Sequence, residues 1–442
     1  MNRPLRIAMF VGAFPVPSET FILRQITGLL DLGHDVDLYA DTRGDVAGSV
    51  HPEVARYRLL ERTTFMDLPP ECAPWELPAW PEDGETWLPG ASQPIPNRER
   101  LARAETIKAR CRERTPVLTE HVLSEAHYGY RARSLSALHR LDRLSALDRR
   151  YDVLHAHFGP VGECFRFARE LWKAPLVVSF HGYDFSTVPR REGRACYARL
   201  FEEADLITVN SDYTRGEVQK LGCPDTKLRK LPMGLDPGAF EFKERRSSAP
   251  VRLITVARLV EIKGHEFCLR AVAEARRRHP QLRYDIVGDG PQRKKLEALA
   301  EELKLRDIVT FHGTQTGPAL KPLLDAAHLF LLCSVSVEGD REGQGLALLE
   351  AQACGLPVIA TRHGAFPEGM VDGESGWLVP ERDVSALAGR IGFALDHADE
   401  WPTMGRAGRR FVEERFDIRE LNRQLASHYE AAMSGYNAGG AN

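Results

Sequence analysis

At 442 residues the chain is long enough for two or three domains of ordinary size. Hydrophobic residues make up 43% and charged residues 27%, which excludes disorder, collagen and coiled coil as descriptions of the whole. Lys and Arg total 59 and Asp and Glu total 62, a formal charge of −3, so there is no global basic field for nucleic acid.

The eight cysteines are scattered, without a CxxC zinc or redox pair, and fit a reducing compartment. No apolar run approaches the roughly 18 residues that span a bilayer. The start, Met1 to Arg6 followed by Ile7-Ala8-Met9-Phe10-Val11, imitates a signal peptide but lacks a small-residue cleavage site before Pro15 and Pro17. It reads as a buried first strand. The chain is expected in the cytoplasm, in solution or peripheral on the inner face of the membrane.

In chain order, strands are predicted at Leu5–Val11 and Asp35–Ala40, with a helix from Ser18 to Leu32 between them. Ser18 suits the N-cap of that helix, and Glu19 favours its dipole. Residues 41–150 then break the rhythm and read as an irregular insert. Eight prolines lie between Pro69 and Pro96, with Trp75, Trp80 and Trp87 among them. This stretch suits either a packed loop or a membrane-interface element. Residues 98–150 carry 12 Arg and 1 Lys against 7 acids, a balance of +6 that suits either anionic lipid or solvated helix faces.

The alternation resumes with strands at Val153–Ala156, Leu176–Phe180, Leu206–Val209 and Leu228–Leu231. Residues 237–250, with Pro237, Gly238 and Lys243-Glu244-Arg245-Arg246, read as a linker. Six more strands follow, at Val251–Val256, Tyr284–Val287, Ile308–Phe311, Leu329–Leu332, Pro357–Ala360 and Gly376–Val379. Strands alternating with helices give an α/β class with two Rossmann-like domains, over 1–236 and 251–415. Each should offer a crevice at the carboxyl ends of its strands. A last helix from about Asp417 to Ser434 belongs to a tail, 416–442, expected to cross back to the first domain.

Two stretches carry chemistry. Glu342-Gly343-Gln344-Gly345-Leu346 opens a helix in which Glu350 stands two turns beyond Glu342. Free amides at such a terminus attract phosphate or hydroxyl groups, and the two carboxylates can bind diols. Arg258 and Lys263 leave the second domain's first strand beside another helix start and suit a diphosphate clamp. Taken singly, Arg258 or Lys263 reads first as a solvated surface charge, while Glu342 and Glu350 also suit an ordinary acidic residue in a helix's first turn and a solvated one inside it. His155 and His157 share one face of a strand end; a metal pair, a cleft residue and core packing are all open there. Gly288-Asp289-Gly290 lacks the third glycine of a dinucleotide fingerprint, which disfavours an NAD-dependent enzyme.

Together these motifs resemble the retaining GT-B glycosyltransferases of family 4. Glu342 and Glu350 are similar to that family's paired glutamates, and Arg258 and Lys263 to its phosphate-binding pair. Val287-Gly288-Asp289-Gly290-Pro291 and Phe311-His312-Gly313 are similar to its glycine turns. In the first half, Phe14-Pro15-Val16-Pro17-Ser18-Glu19-Thr20-Phe21, His155-Ala156-His157-Phe158-Gly159-Pro160 and Phe180-His181-Gly182-Tyr183-Asp184 resemble the subgroup that builds exopolysaccharides such as colanic acid and amylovoran. The first loop has only Gly12 where many members have paired glycines.

The resemblance implies two domains facing across a cleft, and a sugar moved with retention from a nucleotide-diphosphate donor to a saccharide, soluble or lipid-linked. It implies Arg258, Lys263, Glu342 and His181 as catalytic groups. Donor contacts would come from Gly12, Gly288, Gly290, Gly313, Gly343, Gln344, Gly345, Leu346 and Glu350. The acceptor side would hold Ser18, Glu19, Thr20, His157 and Asp184. No cofactor and no metal are expected, because the two cations neutralise the leaving diphosphate; no DxD stands at a strand end. The rivals are a sugar-nucleotide epimerase or hydrolase of the same fold, and a catalytically silent partner subunit.

Overall fold

The computed structural model describes residues 3–44, 51–69, 97–315 and 317–439. Trp75, Trp80 and Trp87 lie outside the described residues.

Two parallel sheets form the frame. The first contains β1 (Arg6–Phe14), β2 (Asp35–Arg43), β3 (Thr63–Phe65), β4 (Val153–His157), β5 (Leu176–Phe180), β6 (Leu206–Val209) and β7 (Leu228–Lys230). Its order is β3-β2-β1-β4-β5-β6-β7. The second contains β8 (Arg252–Val256), β9 (Arg283–Val287), β10 (Val309–Phe311), β11 (Leu329–Leu332), β12 (Val358–Thr361) and β13 (Gly376–Val379), in the order β10-β9-β8-β11-β12-β13. In each, the order reverses beside the first strand, and the crevice at that switch point is where ligands bind in open α/β sheets. The central strands β4, β5, β6, β11 and β12 are buried along their whole length, as strands covered by helices on both faces must be.

β1 and β2 run three residues past their predicted ends, because Ala13 and Phe14 pair with Thr42 and Arg43. Gly12 therefore sits inside β1 and not in a loop. The insert is not irregular where it is described. β3 adds an edge strand, and helices occupy Asn97–Arg114, Pro116–Leu123 and Ser136–Ser145. The last packs its apolar face on the first core, and a fully buried bidentate pair, Arg140 to Asp41 at 2.8 and 2.7 Å, ties it to the end of β2. Three arginines of the basic stretch are paired within it: Arg110 and Arg114 reach Asp142, and Arg112 reaches Glu120. Such exposed pairs add little stability, but they leave these arginines less available to an anionic surface.

The helix Ile418–Gly439 packs on the first sheet. Leu421, Leu425, Tyr429 and Ala432 join that core, and the Tyr429 hydroxyl meets His155 Nδ1 at 2.6 Å. Asp417 caps this helix by accepting the Arg419 amide at 2.9 Å. No helix among the described residues is long and apolar enough to cross a membrane.

Candidate functional site

The second sheet's switch point holds the residues expected to form the clamp. Arg258 follows β8, and its loop is held by the turn after β9: the Leu259 amide donates to the Asp289 carbonyl and the Gln292 amide to the Leu259 carbonyl, both at 2.9 Å. That closeness requires Gly288. A Cβ there would lie 2.0 Å from the Ala257 carbonyl oxygen, and its φ of +138° disfavours any other residue. Gly290 and Gly313 complete the same packing, Gly313 by accepting the Gly288 amide at 2.8 Å. His265 is buried behind the loop and bonds the Arg258 carbonyl at 3.0 Å.

Lys263 Nζ lies 2.6 Å from Glu342 Oε1. Burial alone would raise the Glu342 carboxyl. The Lys263 ammonium outweighs that, with help from His363 and Arg258, and holds Glu342 below the ordinary carboxylate range. Glu342 is thus held in its ionised form by Lys263 in direct contact, with Arg258 close enough to add to the effect. Sequence reasoning missed the group that aims it. The Glu342 amide donates to His363 Nε2 at 2.9 Å, which leaves the Nδ1 hydrogen for Glu381, 2.7 Å away. Glu381 in turn accepts the Ser336 amide at 2.8 Å. The available signal was His363-Gly364 just beyond the strand end.

From Gly345 the chain enters the helix Leu346–Ala353, whose first amides have no helical acceptor. Leu346 packs against the cores of both domains. The Gln344 side chain faces the first domain, where it accepts the Met233 amide and donates to the Met233 carbonyl, both at 2.7 Å. Glu350 receives Arg24 of the first domain at 3.2 Å. The two halves meet elsewhere too: Glu368 accepts the Asp212 and Tyr213 amides at 2.9 Å, and Ser186 bonds Asp340.

On the first-domain side, His181 follows β5 and faces this loop. Its carbonyl accepts Asn210 Nδ2 at 2.9 Å and sits against Gly343. Its ring is in contact with Phe21 and Phe158, with centroids at 4.6 and 4.8 Å, and its Nε2 meets His157 Nδ1 at 3.1 Å. Burial drives the His181 ring down to about 3, so it works as a neutral imidazole. His181 Nδ1 is buried without a partner.

Three first-domain side chains stand otherwise than their spacing suggests. His157 is fully buried between His155 and His181 and touches the cleft only through His181. His155 uses both ring nitrogens, on Tyr429 and on Ser179 at 2.7 Å, so packing and hydrogen bonding account for it, whereas His157 Nε2 is buried without a partner. Asp184 is also fully buried. It accepts the amides of His181, Gly182 and Gly159, and so shapes the loop instead of facing a ligand. Ser18 does not cap the first helix. The Glu19 amide closes a turn onto the Val16 carbonyl at 3.0 Å, which moves the helix start to Thr20. Glu19 takes the cap position, with no side-chain capping bond.

Burial pushes the Glu19 carboxyl up to about 7. A group raised in the folded state from an ordinary value near 4.5 contributes stability that is present below that value and lost as pH rises through 7. Glu19→Gln removes this dependence. In urea unfolding, the variant is expected to gain about 1–2 kcal/mol on the wild type between pH 5 and pH 8.5, after allowance for partial exposure. A difference that is the same at both pH values would place Glu19 in water.

Residues 239–411 match the family of group 1 glycosyl transferases, and residues 18–234 match the glycosyl transferase 4-like domain. The chain is 34% identical to the putative colanic acid biosynthesis glycosyltransferase WcaL of Escherichia coli K12, over 97% of this chain and 100% of that one. It is 32% identical to the amylovoran biosynthesis glycosyltransferase AmsK of Erwinia amylovora, over 96% and 99%. Among solved structures it is similar to Anabaena HepE in complex with UDP and glucose, with a TM-score of 0.65, 16% identity and coverage of 97% and 100%. It is likewise similar to sucrose-phosphate synthase from Thermosynechococcus elongatus, with a TM-score of 0.64, 21% identity and coverage of 98% and 100%. The fold is GT-B, two Rossmann-like domains across a cleft, and the chain belongs to the group 1 glycosyltransferases.

Proposed function

We propose that the chain moves a sugar, with retention, from a nucleotide-diphosphate donor to a hydroxyl of a lipid-linked saccharide in exopolysaccharide assembly. The observation that carries this reading is the convergence of Arg258, Lys263 and ionised Glu342 at one switch point, opposite the neutral His181 ring of the other domain. The exopolysaccharide context is supported by the relatives named for colanic acid and amylovoran synthesis. The nucleotide-sugar donor is supported by the complex of HepE with UDP and glucose.

Breaking a sugar–diphosphate bond builds negative charge on the leaving phosphate and positive charge on the anomeric carbon. Arg258 and Lys263 neutralise the phosphate without a metal, which is electrostatic catalysis by preorganised groups. Glu342 holds a sugar hydroxyl beside the reacting carbon, and Glu350 holds the ribose hydroxyls. Amides at the start of the helix Leu346–Ala353 orient the phosphates. His181 offers its unpaired nitrogen to the donor sugar. Attack from the face of departure lets the leaving phosphate take the acceptor's proton, so no carboxylate nucleophile is needed.

A thermal-shift screen against nucleotide sugars identifies the donor; a ligand at a hundredfold excess over Kd stabilises by about 2.7 kcal/mol. The donor found is then incubated with a saccharide acceptor, and the product's anomeric configuration is read by NMR. Retention and activity in excess EDTA are expected. Inversion, or loss reversed by Mg²⁺, refutes the mechanism. Consumption of the donor without an acceptor favours the epimerase or hydrolase.

A further inference from the structure

Between the helix Thr20–Asp31 and the start of the helix Ile418–Gly439 lies a cavity of about 550 Å³, a size that encloses small ligands. Arg24, Arg56, Arg419 and Arg423 line it. Arg419 and Arg423 are held by Asp417 and Glu420. Of the three acids on the wall, Asp31 accepts the Tyr57 hydroxyl and Asp236 accepts the Gly238 amide, while Glu53 is exposed to solvent.

Besides Glu53, three groups on the wall stand out as partners for a ligand. Arg56 lies along the Tyr57 ring, 5.3 Å from its centroid, and is in no ion pair among the described residues. Arg24 Nη2 reaches Glu350, while Arg24 Nη1 is buried without a hydrogen-bond partner. Asn422 is 1% exposed; its Nδ2 donates to the Arg24 carbonyl at 3.2 Å, and its Oδ1 is buried without a partner. Gly28 admits Asn422 here, since a Cβ would stand 1.8 Å from Asn422 Nδ2.

An unpartnered guanidinium nitrogen calls for an anion, and an unpartnered amide oxygen calls for a hydroxyl or N–H. One molecule supplies both: a sugar that carries a phosphate or carboxylate. We infer that this cavity binds an anionic saccharide, with Arg24 and Arg56 on its acid group and Asn422 on a hydroxyl. Arg24 is shared with Glu350, so occupancy of the cavity and of the Glu350 carboxylate are coupled. The extension of that coupling to the nucleotide rests on the reading of Glu350 as the ribose carboxylate.

The test is calorimetric titration of the full chain with glucose 6-phosphate, with glucose and inorganic phosphate as controls. Glucose 6-phosphate is expected to saturate one site at least tenfold more tightly than either control. Arg56→Gln, at an exposed position that leaves the fold intact, weakens it at least fivefold, whereas Lys263→Ala in the donor cleft leaves it unchanged. Glu350→Gln frees Arg24 and tightens it severalfold. Absent binding, indifference to Arg56→Gln, or loss in Lys263→Ala overturns the site, and phosphate binding as tightly as the sugar phosphate overturns the saccharide. An unchanged affinity in Glu350→Gln overturns the coupling. Tighter probe binding in Glu350→Gln with unaltered nucleotide affinity upholds the cavity and removes Glu350 from the ribose.

Discussion

Lys263→Ala is expected to lower turnover by roughly 10²–10³ at saturating donor, the usual cost of removing one preorganised stabilising group. Two effects combine. The leaving phosphate loses a cation, and Glu342 loses the partner 2.6 Å away that keeps it ionised. Burial then governs the carboxyl, which titrates higher than in the wild type. The variant's activity should therefore rise with pH over a range in which wild-type activity is flat. Lys263→Arg restores charge but not geometry, and should recover only part of the loss. Single-turnover rates across pH check both points. Turnover within threefold of wild type, with a flat pH profile, would remove Lys263 from the reacting centre.

The sequence carried the parallel sheets because their central strands are continuous apolar runs, such as Leu329–Leu332 and Leu176–Phe180, and a strand buried on both faces must be written that way. It did not carry the ends of β1 and β2. Thr42 and Arg43 are polar, and Gly12-Ala13 resembles a loop, so only pairing between the strands defines them. β3 is a three-residue edge strand with a single buried side chain, too short for any periodicity.

At the candidate site, Arg258, Lys263, Glu342 and Glu350 were singled out by their order and spacing as a set, since each charge alone also suits a solvated surface; the folded chain brings Lys263 and Glu342 into contact. His363 was not singled out, since its task is to fix the Glu342 backbone and only the folded chain brings β12 beside that loop. His157 and Asp184 were misplaced for a related reason. Spacing places them near a strand end, but nothing local says whether such a side chain turns to the cleft or inward. Gln344 and Asn422 gain their roles only from contacts between the domains.

The closeness of the two domains gives the other large effect, which Gly343→Ala tests. A Cβ at Gly343 would stand 2.0 Å from the His181 carbonyl oxygen and 2.9 Å from Asn210 Nδ2. Backbone cannot yield as a flexible side chain can. The His181 carbonyl is fixed by Asn210, and the His181 amide by Asp184. The Gly343 loop is fixed on either side, by His363 at the Glu342 amide and by Met233 at Gln344. The added methyl must therefore move the His181 ring away from Glu342 and Lys263, and a shift near 1 Å costs about 10² in rate where reacting groups are positioned. Gly343→Ala should lower kcat by about that factor, with a smaller effect on nucleotide affinity, because Arg258, Lys263 and Glu350 all belong to the second domain. Its melting temperature should fall by only a few degrees, since both cores are untouched. A kcat near wild type would mean that the first domain's histidine acts without this contact, and His181 would then lose its place among the catalytic residues.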